Sequence, residues 1–388
     1  MSLTNSLRDI DTNVLAQIVA RALGKPTVEI VEWRCQPLSA GGSQVLGGVG
    51  IQRVTGVARA DASLVLWSLI VKASKSGAEM ASDDPAAWNY WKREALAYQS
   101  GLLESIPAGI AVPRCYAVQE QPNGEVWLWL EEIQSSTGAW TMARHSLAAR
   151  HLGQFNGAYL AGHPLPPMQP WMLSGRTRQW AENIEPWANR SLQYADTSLG
   201  RRWFGRDGLQ RTLALYAQRH TLLEAFERLP VCYCHHDAHR GNLLDRPHRD
   251  GRSETVAIDW ALTGYGRVGE DIGAMLAVDL EFLAVAASQA RELDQAVFAG
   301  YIDGLRDAGW QGDVRLARLG CTINALIVTG FYWNLYFLEI VQDPAAAAVL
   351  EAMINRPFDQ IIAQYAEMVP FLLDLGDEAL ALINEIKF

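Results

Sequence analysis

The sequence predicts an α+β protein of two unequal lobes: a small strand-rich lobe over residues 1–134 and a large, mainly helical one over 135–388. Three observations carry this prediction. β-Branched and aromatic runs crowd the first 135 residues. Long helical patterns take over after Ser135. Within that helical part, residues 230–262 revert to short apolar runs (VCYC, NLLD, TVAIDWA) around polar clusters, as expected of strands and loops that carry chemistry.

In chain order, residues 10–23 have a helical pattern. VEIVEWRCQPL, GVGIQRVTGVARA and LVLWSLIVKAS then read as strands, with the glycine-rich SAGGSQVLGGVG between the first two suited to a flexible loop over a ligand. Asp84 as cap, Pro85 in the first turn and Gly101 at the end predict a helix over 86–100. RCYAVQE and EVWLWLEEI, joined by Pro122-Asn123-Gly124, complete a five-stranded antiparallel sheet. The large lobe is expected to hold helices near 140–160, 177–194, 207–228, 269–290, 292–309, 313–340, 344–367 and 377–387. The two lobes meet at 131–136, and a cleft between lobes is a usual place for a ligand.

Apolar residues make up 49% of the 388 and charged residues 20%, a folded rather than disordered composition. With 33 basic against 43 acidic residues the net charge is −10, which disfavours nucleic acid as a partner. Five dispersed cysteines read as reduced thiols, and with no signal-peptide pattern at the start the expected location is cytoplasmic. Leu319–Leu338 is uncharged and about as long as a membrane span. Thr322, Asn324, Thr329 and Asn334 interrupt it, so it is expected to be a buried core helix, with no membrane partner. Residues 262–388 hold 7 basic and 18 acidic residues, either a solvated acidic surface or a wall that attracts a cationic small molecule. Oligomeric state is left open.

The strongest local signal is CHHDAHRGNLLD at 234–245, followed by VAIDWA at 256–261. Asp237 and Asn242 stand five apart, and Asp259 follows seventeen residues later at the end of an apolar strand. Phosphoryl transfer needs such a set: a carboxylate, Asp237, to orient a hydroxyl and take its proton, and an amide oxygen and second carboxylate, Asn242 and Asp259, to hold Mg²⁺ against nucleotide phosphates. Cys232, Cys234, His235, His236 and His239 admit a zinc cluster instead, although the paired C-x-x-C spacing of structural sites is missing and alternation puts both thiols on one strand face. A plain core strand with satisfied histidines is the third reading.

His235, Asp237 and Asn242 in the pattern His-x-Asp-x-x-x-x-Asn, with Ile258-Asp259-Trp260, resemble the catalytic loop and metal-binding segment of the aminoglycoside phosphotransferase family, within a kinase-like superfamily that includes choline and homoserine kinases. The resemblance spans about residues 30–340. It implies a two-lobed, protein-kinase-like fold and transfer of the γ-phosphoryl group of ATP or GTP, with Mg²⁺, to a hydroxyl of a small acceptor. It further implies that Lys72 contacts the nucleotide phosphates while Glu94 holds that lysine, and that backbone groups near Glu131 and Ile133 read the purine. An edge-strand Lys72 pointing to water is the competing reading.

Asp271 resembles the family's helix aspartate that fixes the catalytic-loop backbone, or is an ordinary helix-start carboxylate. His235 is expected to brace the loop, and His239 to approach the γ-phosphate. The glycines at 41, 42, 47, 48 and 50 do not spell G-x-G-x-x-G, and no P-loop motif is present. The short passage from Asp259 to Gly269 leaves no room for the activation segment of a protein kinase. Trp171, Trp180, Trp187 and Trp203 are expected in the core or on an aromatic substrate wall. The acidic last third points to a cationic acceptor such as an aminoglycoside, aminosugar or amino alcohol. The alternatives are a catalytically silent nucleotide-binding protein of the same fold and a zinc-dependent hydrolase.

Overall fold

A computed structural model describes residues 3, 7, 10–38, 48–77, 81–135, 138–194, 196–205, 207–248 and 251–386. The predicted glycine-rich loop at 39–47, with Gly41, Gly42 and Gly47, lies outside the described residues, as does residue 136 of the expected join.

The small lobe opens with α1 (Thr12–Leu23), β1 (Glu29–Leu38), β2 (Gly48–Ala60) and β3 (Ser63–Lys75). α2 (Arg93–Gln99), the two-residue β4 (Ile110–Ala111), β5 (Cys115–Glu120) and β6 (Glu125–Glu131) follow. The sheet runs β1-β2-β3-β6-β5, antiparallel throughout. Period-two alternation divides its side chains. Leu69, Val71, Ala73, Trp127 and Trp129 pack with Leu15, Ile18 and Val19 of α1, whereas Val126, Leu128 and Leu130 join the core shared with the large lobe. Lys72 pairs with Leu128 across the ladder and therefore takes the second face, toward the cleft. β4 pairs in parallel with a strand of the large lobe, so a short ladder joins the lobes.

The large lobe contains α3 (Met142–Leu160), β7 (Leu173–Ser174), α4 (Arg176–Ser191), α5 (Ser198–Phe204), α6 (Gly208–Ala217), α7 (Arg219–Glu227) and β8 (Val231–Cys234). β9 (Leu243–Pro247), β10 (Ser253–Ala257), β11 (Gly264–Arg267), α8 (Glu270–Glu281), α9 (Ala290–Asp307) and α10 (Val314–Ala325) come next. A π-helical stretch (Leu326–Trp333) runs into α11 (Asn334–Ile340), ahead of α12 (Pro344–Ile354) and α13 (Phe358–Glu385). Two three-stranded sheets, β4-β10-β9 and β7-β11-β8, flank the polar loops of 235–242 and 258–263.

Several predicted boundaries move. The helix expected over 86–100 begins only at Arg93, because the carbonyls of Pro85, Ala87 and Trp88 turn to the Arg93 guanidinium instead of closing helical bonds. The 207–228 helix breaks at Gln218, and α5 was not foreseen. The expected 269–290 helix stops at Glu281. The expected 344–367 helix ends at Ile354, where Asn355 adopts φ 57° ahead of Pro357. α13 then runs unbroken through exposed Pro370, whose ring faces solvent, so the 377–387 segment is the end of a longer helix.

Val314–Ile340 is long and apolar enough to cross a membrane, but 78% of its most apolar stretch is buried within the protein. Its polar side chains bond inside the core: Thr322 to Arg318 O, Asn324 to Thr177, Thr329 to Glu281, and Asn334 to Thr329 O.

Candidate active site

The small lobe contributes one lysine and one glutamate to the cleft. Lys72 Nζ lies 2.7 Å from Glu94 Oε2 and 2.6 Å from Asp259 Oδ1, so β3, α2 and the segment after β10 meet at one ammonium. Burial alone would weaken the lysine's charge, yet Asp259 and Glu94 outweigh it and hold its pKa above the usual range. Burial likewise opposes ionisation of Asp259, and the Lys72 cation reverses this and keeps the carboxyl below its ordinary value. Glu94 also accepts a bond from the Trp260 backbone N–H, which ties α2 to the residue after Asp259. Asp259 adopts φ 62°, a left-handed conformation that costs about 1–3 kcal/mol for a non-glycine residue and recurs at functional sites.

On the large-lobe side, residues 235–242 form a compact loop whose side chains point two ways. Asn242 Nδ2 donates to Asp237 Oδ2 at 2.8 Å and to the Asp237 carbonyl at 3.1 Å. The Asn242 carbonyl accepts from Ile258 N–H at 2.9 Å, which brings the asparagine beside Asp259. His239 Nδ1 accepts from Gly241 N–H, leaving Nε2 3.8 Å from Asp237 Oδ2. His235 points the other way. Its Nε2 bonds Ile258 O at 2.9 Å, and Nδ1 accepts from Asp237 N–H, the pattern of a neutral imidazole. Burial depresses its pKa in keeping with that.

Asp271, at the start of α8, accepts from the backbone N–H of His236 at 2.7 Å and of His235 at 3.2 Å, and from Asn156 Nδ2 at 3.1 Å. Little more than two turns later on the same helix, buried Asp279 accepts from Arg240 N–H at 3.2 Å and bonds His145 Nε2 at 3.1 Å. One helix thus grips both ends of the loop. Asp279 gave no sequence signal, because an acidic residue within an apolar helical run looks like a stray charge.

Two buried arginines were missed as well. Arg93, next to Glu94, bonds the carbonyls of Pro85, Ala87, Trp88, Trp171 and Ala261, and burial lowers its pKa to about 10. Arg176, opening α4, places Nη2 3.9 Å from Asp237 Oδ1 and lies over Trp180, 5.0 Å from the ring centroid. Its Nε and Nη1 have no hydrogen-bond partner among the described residues although the side chain is only 4% exposed. About one to two turns along α4 from Arg176, Gln179, Glu182 and Asn183 line a 390 Å³ cleft with Asp84, Trp88 and neighbouring residues.

Glu131 ends β6 and Ile133 lies two residues past it. The Glu131 N–H donates to Arg114 O, its carboxylate meets Arg246 at 3.0 Å, and the Ile133 carbonyl accepts from Ser135 N–H. Of the four tryptophans singled out, Trp171, Trp180 and Trp203 are buried and Trp187 half-buried. Trp180 contacts Trp88, Tyr332 and Trp333, so the core cluster reaches the cleft. The acidic last third does not form a wall of unpaired carboxylates. Asp294 and Glu378 meet Arg318, Asp374 meets Arg211 and Arg291, and Asp359 meets Arg202. Cys232, Cys234 and His236 are fully buried, while His235 and His239 bond elsewhere, so these five residues do not make the open metal centre a hydrolase requires.

The profile of the phosphotransferase enzyme family matches residues 91–311, more than half of the sequence. The chain belongs to this family. The match includes the whole of α2, the His-x-Asp-x-x-x-x-Asn loop and Asp259, and it makes the protein a phosphotransferase, in agreement with the family expected from those motifs. No curated protein matches the chain in sequence.

Among solved structures, this phosphotransferase is similar to an amicoumacin kinase bound to AMP-PNP and Ca²⁺, at 12% identity and a TM-score of 0.47, over 92% of this chain and 99% of that one. It is similar to an ethanolamine kinase of Plasmodium vivax at 11% identity and 0.47, over 88% and 81%. A spectinomycin phosphotransferase bound to ADP and spectinomycin gives 13% and 0.46, over 96% and 99%.

Proposed function

We propose that this phosphotransferase is a Mg²⁺-dependent small-molecule kinase that moves the γ-phosphoryl group of ATP, or GTP, to a hydroxyl of a small acceptor. The observation that carries the reading is the meeting of Lys72, Glu94 and Asp259 within 2.7 Å, on the cleft that also holds the Asp237–Asn242 pair. In this reading Lys72, steadied by Glu94, binds the nucleotide phosphates, and the backbone of the 131–133 segment meets the base. Asp237 orients the acceptor hydroxyl and takes its proton as the oxygen attacks phosphorus and the bond to the β-phosphate oxygen breaks. His235, Asp271 and Asp279 keep the loop in place for that step, and His239 stands beside Asp237 for the transferring phosphoryl group.

Asn242 and Asp259 supply hard oxygen donors suited to Mg²⁺. The asparagine amide nitrogen is turned to Asp237, which leaves its oxygen as the donor on the other side, and Asp259 is held ionised by Lys72. Magnesium bound there would neutralise phosphate charge and align the nucleotide.

For the acceptor, support comes from the cleft beside α4 rather than from the paired carboxylates of the last third. Asp84 and Glu182 give its lining two acidic side chains and Trp88 an aromatic one, a combination suited to a polar cation with an apolar face. The experiment is a mass-spectrometric screen for phosphorylated product with Mg-ATP and Mg-GTP against aminoglycosides, aminosugars, amino alcohols and neutral hydroxyl compounds, with Asp237→Ala in parallel. A product that disappears in the variant supports the reading; a product that persists removes Asp237 from the role of base.

A further inference from the structure

Behind the catalytic loop lies a second cluster, which the phosphotransfer chemistry does not use. The sulfur of Cys234, the imidazole of His236 and the carboxylate of Glu270 bring their ligating atoms within 4.8 Å of one another, all three fully buried. Cys232 Sγ lies 3.5 Å from Cys234 Sγ on the same strand face. We propose that Cys234, His236 and Glu270 hold a structural zinc ion that staples the catalytic loop to β8, β11 and α8.

Several independent features point to it. Fully buried His236 meets Glu270 Oε1 at 3.4 Å through Nδ1, and its Nε2 has no hydrogen-bond partner among the described residues. A buried ring nitrogen without a partner is disfavoured unless something else satisfies it, and a metal does so. The histidine is also held at φ 67°, where glycine would sit without strain, so the fold keeps an imidazole at a position that opposes one.

The glutamate is oriented from behind: Thr177 Oγ1 donates to Oε1 at 2.7 Å, Arg267 N–H to Oε2 at 2.9 Å, and Asn324 Nδ2 in turn to Thr177. Such outer bonds are what aim a metal-binding carboxylate. Gly266 lies where the three side chains converge, since a Cβ there would come within 2.6 Å of Cys234 Sγ and His236 Cε1 and 2.7 Å of Glu270 Oε2. Any larger residue would push the donors apart.

The donor set selects the metal. A sulfur, an imidazole and a carboxylate suit zinc, whereas Mg²⁺ takes oxygen ligands. Binding releases the Cys234 thiol proton to solvent, and one thiolate with one carboxylate balances the charge of the ion. A closed, fully buried site makes the ion structural, and its proximity to Asp237 through the adjoining His236 gives it a direct hold on the reactive loop.

The test uses the full chain, purified without a metal-affinity tag or added metal and analysed by inductively coupled plasma mass spectrometry. One zinc per chain is expected, and on exchange into cobalt, thiolate-to-cobalt charge-transfer absorption that falls in Cys234→Ser and stays in Cys321→Ser, whose thiol is buried elsewhere. His236→Gly separates the proposal from a plain buried His236–Glu270 ion pair. Glycine relieves the positive φ, so on this proposal the variant loses zinc affinity at least tenfold and melts lower despite that relief. Protein that is metal-free as purified and takes up neither zinc nor cobalt in competition with a chelating dye overturns the proposal. So does a His236→Gly chain that keeps its zinc. If His236→Gly fails to fold, the cobalt spectra of the two cysteine variants decide, and a spectrum unchanged in Cys234→Ser overturns the proposal.

Discussion

The loop of residues 235–242 has two faces that obey different rules. Toward the cleft, Asp237 and His239 are partly exposed and bonded lightly, the aspartate to one amide and a distant guanidinium. Toward the core, His235 and the backbone of 235–236 are fully buried, Asp271 takes up the two backbone N–H groups there, and Asp279 takes up that of Arg240. The difference shows how the carboxylate proposed as the base can be kept available: rigidity comes from bonds to the backbone behind it, so its own oxygens need not be spent on holding it still. Two arginines repeat the contrast. Arg93 gives its guanidinium to five carbonyls, whereas Arg176 is as buried yet leaves two nitrogens without a partner beside Asp237.

The largest expected effect tests the reactive face. Asp237→Ala removes the proposed proton acceptor, and turnover in the product assay is expected to fall by about 10²–10⁴-fold with nucleotide affinity retained, as measured by calorimetry. Loss of nucleotide binding as well would mean that the two faces are not separable. Asp271→Ala probes the supporting face. It leaves two backbone N–H groups unpartnered, at about 1–3 kcal/mol each, and removes one of the acceptors of Asn156 Nδ2, which keeps Tyr233 O, so a lower Tm and slower turnover are expected together. An unchanged Tm would show that the loop is held by something else.

The arginine pair sharpens the same division. Arg93→Met is expected to destabilise the fold by about 3–5 kcal/mol in a denaturant titration, because it strands buried carbonyls. Arg176→Met, with its unpartnered nitrogens, is expected to slow turnover more than it lowers Tm. Equal losses of stability in the two variants would dissolve the contrast. The smallest effect is expected at the cleft lining: Glu182→Gln should raise KM for a cationic acceptor by about two- to tenfold, a contribution of about 1 kcal/mol from an exposed charge, and leave KM for the nucleotide unchanged.

Much of this architecture could be read from the chain. The alternation in LVLWSLIVKAS and EVWLWLEEI determined the sheet and turned Lys72 toward the cleft, because a strand's side chains alternate whatever surrounds them. The spacing of Asp237, Asn242 and Asp259 named the chemistry, since those donors lie within one loop and the strand pair after it. The sequence misled at the helix start near residue 86, where local cap signals lost to Arg93, and at 344–387, where one exposed proline did not stop a helix that a buried face supports.

What tertiary structure alone decided is how distant charges are paired. Asp279 reaches Arg240 and His145, Arg176 reaches Asp237, and Asp294 and Glu378 of the acidic last third meet Arg318. Periodicity and capping act over a few residues and leave their mark in the local sequence. The pairing of a buried charge depends on which side chain the fold brings within about 4 Å, and no local pattern encodes that separation.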